Sequence, residues 1–304
     1  MNPKLRGTIC GIAGAAFYGC NPLGALGLYE LGINSHTVLF FRFLLASLIL
    51  MGVMLIKRES FSLKRKEMPI VFILGIIFCL TSLLMFISFH YIDAGIASTL
   101  IFVYPVMVAI IMALFFKEKI TLLTTGSIIL SLAGIALLYQ GDSGNILNTT
   151  GVVLVMFAAF FNALYIIIIN KTEIDISALK MTFYVSVISI FMVYAHSLID
   201  QNQEIQWLTT PAMWGYALFM GLVPTVLALV LMTVAIRDIG STPTAVMGAL
   251  EPVSAVMIGV LMFGEAFTIQ ILLGILLIIA SVLVIIFAKN QKEKRIQKEI
   301  SSVS

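Results

Sequence analysis

Two ionisable residues stand inside long apolar runs of this chain. Arg42 lies in "VLFFRFLLASLIL" (38–50) and Glu251 in "MGALEPVSAVMIGVLMF" (247–263). In lipid such residues are costly, and they usually face the protein interior or a wet cavity. A deep carboxylate suits a proton-coupling site and equally suits holding an amine or ammonium group. An arginine offers a planar fork to a carboxylate. The structural alternatives are plain: Arg42 snorkels to the headgroups, and Glu251 is a neutral acid bonded to a neighbouring helix. Pro252 follows Glu251 directly and Pro105 stands in a similar run. Inside a helix each would remove one backbone donor and free the carbonyl four residues back. Paired interrupted helices at matching positions point to a binding site.

The elements that must position these residues are membrane helices. Of the 304 residues 61% are hydrophobic and 11% charged, about half the charge of a soluble domain. The apolar residues come in blocks of about twenty, the length that crosses a bilayer as a helix. Ten such spans are expected, at 7–28, 36–56, 69–89, 95–116, 121–139, 151–170, 179–199, 212–235, 243–263 and 268–288. The fold expected is therefore an all-α integral membrane protein of ten transmembrane helices. Cys10, Cys20 and Cys79 all lie inside apolar blocks and have no metal-ligand spacing.

With ten spans, every Lys and Arg falls on the side of the N-terminus. These include Lys4, Arg6, Lys57, Arg58, Lys64, Arg65, Lys66, Lys117, Lys119, Lys171, Lys180, Arg237 and the basic tail. The opposite loops contain none. That bias puts both termini in the cytoplasm. The tail reads as an anchor against anionic lipid, not as a nucleic-acid surface. On that topology Arg42 is roughly 9 Å below the outer boundary and Glu251 roughly 12 Å above the inner one. In a core about 30 Å thick their backbones differ in depth by about 9 Å.

The segment "IFVYPVMVAIIMALFFKEKIT" (101–121) aligns with "GALEPVSAVMIGVLMFGEAFT" (248–268), with seven of twenty-one positions identical. Pro105 matches Pro252, Glu118 matches Glu265, Thr121 matches Thr268, and Tyr104 is the counterpart of Glu251. Upstream, "DAG" at 93–95 echoes "DIG" at 238–240. The expected organisation is a five-helix repeat at 1–145, an inverted five-helix repeat at 146–290 and a basic cytoplasmic tail at 291–304. Inverted repeats are a signature of secondary transporters, with the site near the midplane between the halves.

Ten spans in two halves, the P…E frame at the ends of spans 4 and 9, and "FRFLLASLIL" at 41–50 together resemble the EamA-type family of the drug/metabolite transporter superfamily. The resemblance covers essentially the whole chain. It implies a bundle whose spans 1–4 and 6–9 line a central cavity, with spans 5 and 10 peripheral. It also implies export of amino acids or other small metabolites, proton-coupled or facilitative, across the plasma (inner) membrane of a bacterium.

Further polar candidates within the spans are Asn21, Asn162, Ser82, Tyr18, Tyr165 and Tyr184. Asn21 and Asn162 sit at similar depths in the first span of each half, and Phe17 aligns with Phe161 as a second matched pair of cavity walls. Each polar residue alone also reads as helix–helix glue. Pro22 and Pro224 have weaker claims than Pro105 and Pro252. Glu118 and Glu265 read as caps of the helices that follow them. His36, His90 and His196 read as separate interfacial residues. Tyr29, Tyr91, Tyr139, Trp207 and Trp214 read as an aromatic belt.

No H-E-x-x-H, G-x-S-x-G or P-loop motif occurs, which argues against an enzyme or an ATP-driven pump. No cofactor and no metal ligand set is expected. The expected partners are a small-molecule substrate and membrane lipid. Glycine-rich faces such as "GTICGIAGAAFYG" (7–19) permit a homodimer. A small zwitterion fits one acid and one arginine better than a lipophilic cation or drug does. A non-transporting sensor or scaffold is the other alternative.

Overall fold

A computed structural model describes residues 3–117, 122–140, 147–172, 176–199, 204–239, 244, 247–248, 250–281 and 283–284. The expected cap Glu118 and the basic tail lie outside the described residues. Within them, seven helical stretches are long and apolar enough to cross a membrane: Pro3–Glu30, Ser35–Ile56, Met68–Ser88, Ala94–Phe116, Thr149–Ile169, Ala178–Ile199 and Pro211–Ala235. Three shorter apolar helices, Thr125–Leu137, Leu250–Phe263 and Ile269–Ser281, complete the set. This is an all-helical, multi-pass membrane protein.

Three of these stretches are interrupted. The first is α1 (Pro3–Tyr18) followed by α2 (Asn21–Glu30), with Pro22 in the first turn of α2. After α3 (Ser35–Ile56) and α4 (Met68–Ser88), the Ala94–Phe116 stretch breaks into α5 (Ala94–Ile101) and α6 (Tyr104–Phe116). Next come α7 (Leu122–Gln140), α8 (Thr149–Lys171) and α9 (Ala178–Ile199). Then α10 (Pro211–Gly221) passes through a π-helical turn, Leu222–Leu227, into α11 (Ala228–Ile239). Finally α12 spans Leu250–Phe263 and α13 spans Ile269–Ser281.

Pro22 and Pro105 start helices α2 and α6, whereas Pro224 lies inside the Pro211–Ala235 stretch at its π-helical turn, and Met247 and Gly248 ahead of Pro252 are themselves helical. Pro105 is in the first turn of α6. A first-turn residue has no intrahelical use for its N–H, so proline is tolerated there. Polar caps fix other starts: Asn34 Oδ1 accepts from Thr37 N at 2.8 Å, and Asn148 Oδ1 from Thr150 N at 2.9 Å.

Packing is pairwise. Helix α1 runs along α11, α4 along α8 and α9, α3 along α9 and α10, and α5 against α12 and α8. Gly7, Gly11 and Gly14 form the contact stripe of α1. A methyl group at Gly14 would lie 2.9 Å from Met232 of α11, so the two helices approach backbone to side chain. The buried apolar core joins α2, α3, α4 and α5, with Leu28, Leu39, Phe43, Phe86, Ala97 and Leu100 at its centre.

The N-terminal end of α3 is polar inside. His36, 1% exposed, lies 2.7 Å by its Nε2 from His196 Nδ1, and Ser35 Oγ lies 2.8 Å from His90 Nε2. Tyr29 donates to the Phe86 carbonyl and stacks on His90. So the histidines are not separate interfacial residues, and Tyr29 is not a belt residue. The packing of α3 on α9 brings His36 and His196 together. Trp207 remains exposed, as a belt residue would. Burial holds the His90 ring below the usual imidazole range.

Candidate functional site

Two of the interrupted stretches, through α1, α2 and α5, pack against α12, which carries Glu251. Glycine is required at position 19, in the break between α1 and α2. A methyl group there would stand 2.5 Å from the Glu251 carbonyl oxygen and 2.5 Å from Ser254 Cβ. Helix α12 can therefore lie directly on the broken backbone. Glu251 occupies the first turn of α12, where the helix dipole favours a negative charge. Its counterpart Tyr104 begins α6.

Arg42 approaches from α3. It is 6% exposed and does not snorkel. Its Nε donates to Thr225 Oγ1 at 3.1 Å, and the Thr225 hydroxyl donates in turn to the Met220 carbonyl at 2.9 Å. The guanidinium carbon lies 5.7 Å from the Phe43 ring centroid and 5.3 Å from that of Phe86, within cation–π range.

Arg42 and Glu251 act on each other electrostatically, and both act on the Tyr18 hydroxyl. Tyr104 feels the charge of Glu251 and the Tyr18 hydroxyl, and Tyr165 that of Tyr18. Five residues singled out in the sequence are thus linked electrostatically: Arg42, Glu251, Tyr18, Tyr104 and Tyr165. They come from α1, α3, α6, α8 and α12. Aromatic rings extend the set, with Phe78 5.8 Å from both Phe43 and Tyr165, and Phe102 5.9 Å from Tyr104.

The two charges do not close on one another. The ion pairs among the described residues are Arg6–Asp238 and Lys64–Glu67. No described residue hydrogen-bonds to the Glu251 carboxylate, and none accepts from the terminal nitrogens of Arg42. Asn21, in the first turn of α2, donates to the Tyr18 carbonyl at 2.8 Å. Its Oδ1 is buried without a partner. Among the described residues, then, the terminal nitrogens of Arg42 and the carboxylate of Glu251 have no hydrogen-bond partner.

Other candidates fall outside this group. The Tyr184 hydroxyl donates to the Phe61 carbonyl in the α3–α4 loop. Phe161 packs edge-on against Phe160. Asn162 lies one turn from Tyr165 on the same face of α8, and its side chain takes no hydrogen bond from a described residue. Phe17 is partly buried at the end of α1, as is Ser82's neighbour Met85 in α4. No group of three His, Cys, Asp or Glu converges among the described residues.

Glu265 is a cap, but of a different helix from the one expected. Its carboxylate accepts from Ala94 N at 2.7 Å and Gly95 N at 3.0 Å, closing the N-terminus of α5. Gly264, at φ 67°, turns the chain so that Glu265 N bonds the Gly259 carbonyl at 3.1 Å. Thr225 was not singled out in the sequence, where a lone threonine in an apolar block is unremarkable. The neighbouring Pro224 is the signal that could have found it, because π-helical turns recur at functional sites.

Comparison with known proteins agrees on fold and family. A crystal structure of a protein at 13% identity superposes with a TM-score of 0.67, covering 94% of this chain and 98% of that one. The uncharacterized transporter YetK of Bacillus subtilis (strain 168) is 23% identical over 259 residues, 83% of this chain and 78% of its own. The uncharacterized transporter YvbV of the same organism is 25% identical over 209 residues, 68% of this chain and 67% of its own. The model of the EamA-like transporter family matches residues 5–140 and 149–287. The chain belongs to the EamA-like transporter family.

Proposed function

We propose that this protein is a secondary transporter of small zwitterions, amino acids foremost, working by alternating access. The observation that carries the reading is a pair of opposite charges whose carboxylate and terminal guanidinium nitrogens have no hydrogen-bond partner among the described residues. Arg42 presents a fork for a carboxylate. Glu251, with the orphan Asn21 Oδ1, presents acceptors for an ammonium. Arg42 is buried and Glu251 partly buried; charge removed from water without a partner is unfavourable, and a bound zwitterion would satisfy both poles at once. Against a lipophilic cation, Arg42 is a repulsive neighbour.

The alternating-access reading rests on ten helices in two inverted halves, 1–145 and 146–290. The packing supports it. Under exchange of the halves, α1 on α11 becomes α8 on α4, while α3 on α9 and α5 on α12 map onto themselves. The two matched stretches of the family model fall one in each half. Export across a bacterial plasma membrane, with both termini cytoplasmic, follows the family and the charge bias. Glu251 is the group through which a proton would couple, where transport is coupled at all; the site needs neither cofactor nor metal. The glycine stripe of α1 packs on α11 of the same chain and is not free to form a homodimer.

The test is a thermal-shift screen of the purified protein against the twenty standard L-amino acids, tetraphenylphosphonium and ethidium, with Glu251→Gln in parallel. A ligand at ~100 times its Kd stabilises the native state by about 2.7 kcal/mol. We expect an amino acid to stabilise wild type and not the variant. Stabilisation by the cations alone would replace the zwitterion reading, and a silent screen of folded protein would reopen a sensor or scaffold role.

A further inference from the structure

We propose that Thr225 is the positioning residue that sets which anion Arg42 accepts, leaving it only its end-on fork and so selecting a carboxylate. The inference rests on Arg42 being the anion-binding pole. A guanidinium can take an anion side-on, through Nε and one terminal nitrogen, or end-on, through both terminal nitrogens. The side-on mode is closed at Arg42, because Nε already donates to Thr225 Oγ1 at 3.1 Å. The threonine cannot readily turn away. Its own proton goes to the Met220 carbonyl at 2.9 Å, so the lone pairs are what face Arg42.

That orientation is built by the π-helical turn Leu222–Leu227, which carries Thr225 between Pro224 and Val226. Thr225 is 6% exposed, so water does not compete freely for the bond. Phe43 and Phe86 lie beside the guanidinium and offer an anion no donor. What remains is two terminal nitrogens. A carboxylate brings two oxygens and satisfies them. A phosphonate brings three, and the third would stay buried without a donor, an unfavourable outcome. The same chain shows the alternative mode where Nε is free: Arg6 holds Asp238 side-on, through Nε and Nη2.

The experiment uses the full chain in nanodiscs, as wild type, Thr225→Ser and Thr225→Val. The first readout needs no ligand. Hydrogen exchange at the arginine Nε–H groups is followed by ¹⁵N NMR, with Arg42→Lys assigning the Arg42 signal. The second is the affinity for whichever of the twenty L-amino acids binds wild type most tightly, against its α-aminophosphonate. We expect a protected Arg42 Nε–H in wild type and Thr225→Ser, and exchange at least about tenfold faster in Thr225→Val. In Thr225→Val the amino acid should bind about tenfold more weakly. Its preference over the phosphonate should narrow, because the freed Nε–H can serve the third oxygen. Unchanged exchange in Thr225→Val would overturn the positioning role. An affinity loss with the preference intact would overturn the selection. If no amino acid binds wild type, the zwitterion reading and the carboxylate selection fail together, while the exchange data still report whether Thr225 holds Arg42.

Discussion

Two arginine–acid pairs in this chain contrast sharply. Arg6 and Asp238 close on each other with two bonds, at 2.7 and 2.8 Å, and tie α1 to the end of α11. The Arg6 side chain is 51% exposed and that of Asp238 6%, so solvent reaches the arginine while the acid stays covered. Arg42, buried, and Glu251, partly buried, carry the same charges within the bundle, yet they form no ion pair, and their outer polar atoms have no partner among the described residues. A closed pair holds two helices together. An open pair, in a place where burying unpaired charge is unfavourable, holds room for something else. The difference lies in the surrounding backbone. Arg6 and Asp238 lie on α1 and α11, which pack continuously along each other. Arg42 is held back by Thr225 from a π-helical turn, and Glu251 is fixed at the start of a helix.

The same conservative change at both arginines puts this contrast at risk. Lysine keeps the charge but loses the planar fork. Arg42→Lys also loses the Nε bond to Thr225, and we expect substrate affinity to fall 10- to 100-fold, roughly 1.4 to 2.8 kcal/mol. Arg6→Lys should leave affinity within about twofold. Both are read from the concentration dependence of transport in proteoliposomes. Equal effects at the two positions would dissolve the distinction between a closed pair and an open one.

A second comparison concerns two glycines. Gly19→Ala drives a methyl group onto the Glu251 carbonyl oxygen and Ser254. Because backbone must move, we expect a loss of about 1–3 kcal/mol and weaker ligand binding, as α12 shifts and carries Glu251 with it. Gly52→Ala in α3 meets no atom within 4 Å and should stabilise the helix by about 0.5–1 kcal/mol. Thermal unfolding of the two variants, with and without ligand, decides it. A benign Gly19→Ala would mean that the α1–α2 break does not position Glu251.

How much of this was legible beforehand depended on the kind of signal. Arg42 and Glu251 stood out because charge in an apolar run needs no three-dimensional knowledge to be conspicuous. Tyr18, Tyr104 and Tyr165 were reachable through depth and internal symmetry. Tyr184 had the same credentials, but its hydroxyl reaches the Phe61 carbonyl in a neighbouring loop, a matter of rotation about the helix that hydropathy does not carry. Pro105 marked a real interruption, the break between α5 and α6, and Pro224 marked the π-helical turn, because a missing backbone donor is visible in the sequence. His36 and His196 pair only because α3 packs on α9. Thr225 was hidden by being an ordinary residue; only the turn around Pro224 gives it a task.

The smallest effect comes from comparing two glutamates. Glu251 has no donor among the described residues, whereas Glu265 accepts from Ala94 N and Gly95 N. Burial pushes the Glu265 carboxyl above its ordinary value; the two N–H groups pull it back, and the charge of Asp93 adds to the rise. With the native value raised, the folded protein binds this proton more tightly than the unfolded chain does. The resulting stabilisation is complete below the unfolded value and is lost as pH rises through the native one. We therefore expect the wild-type Tm, relative to that of Glu265→Gln, to decline as pH rises above the ordinary glutamate value of about 4.3. Taking the difference between the two proteins cancels the other carboxylates. A flat difference would mean that the two backbone donors offset burial completely at Glu265. The contrast with Glu251 would then be sharper, because two well-placed N–H groups would suffice to keep a half-buried glutamate ordinary.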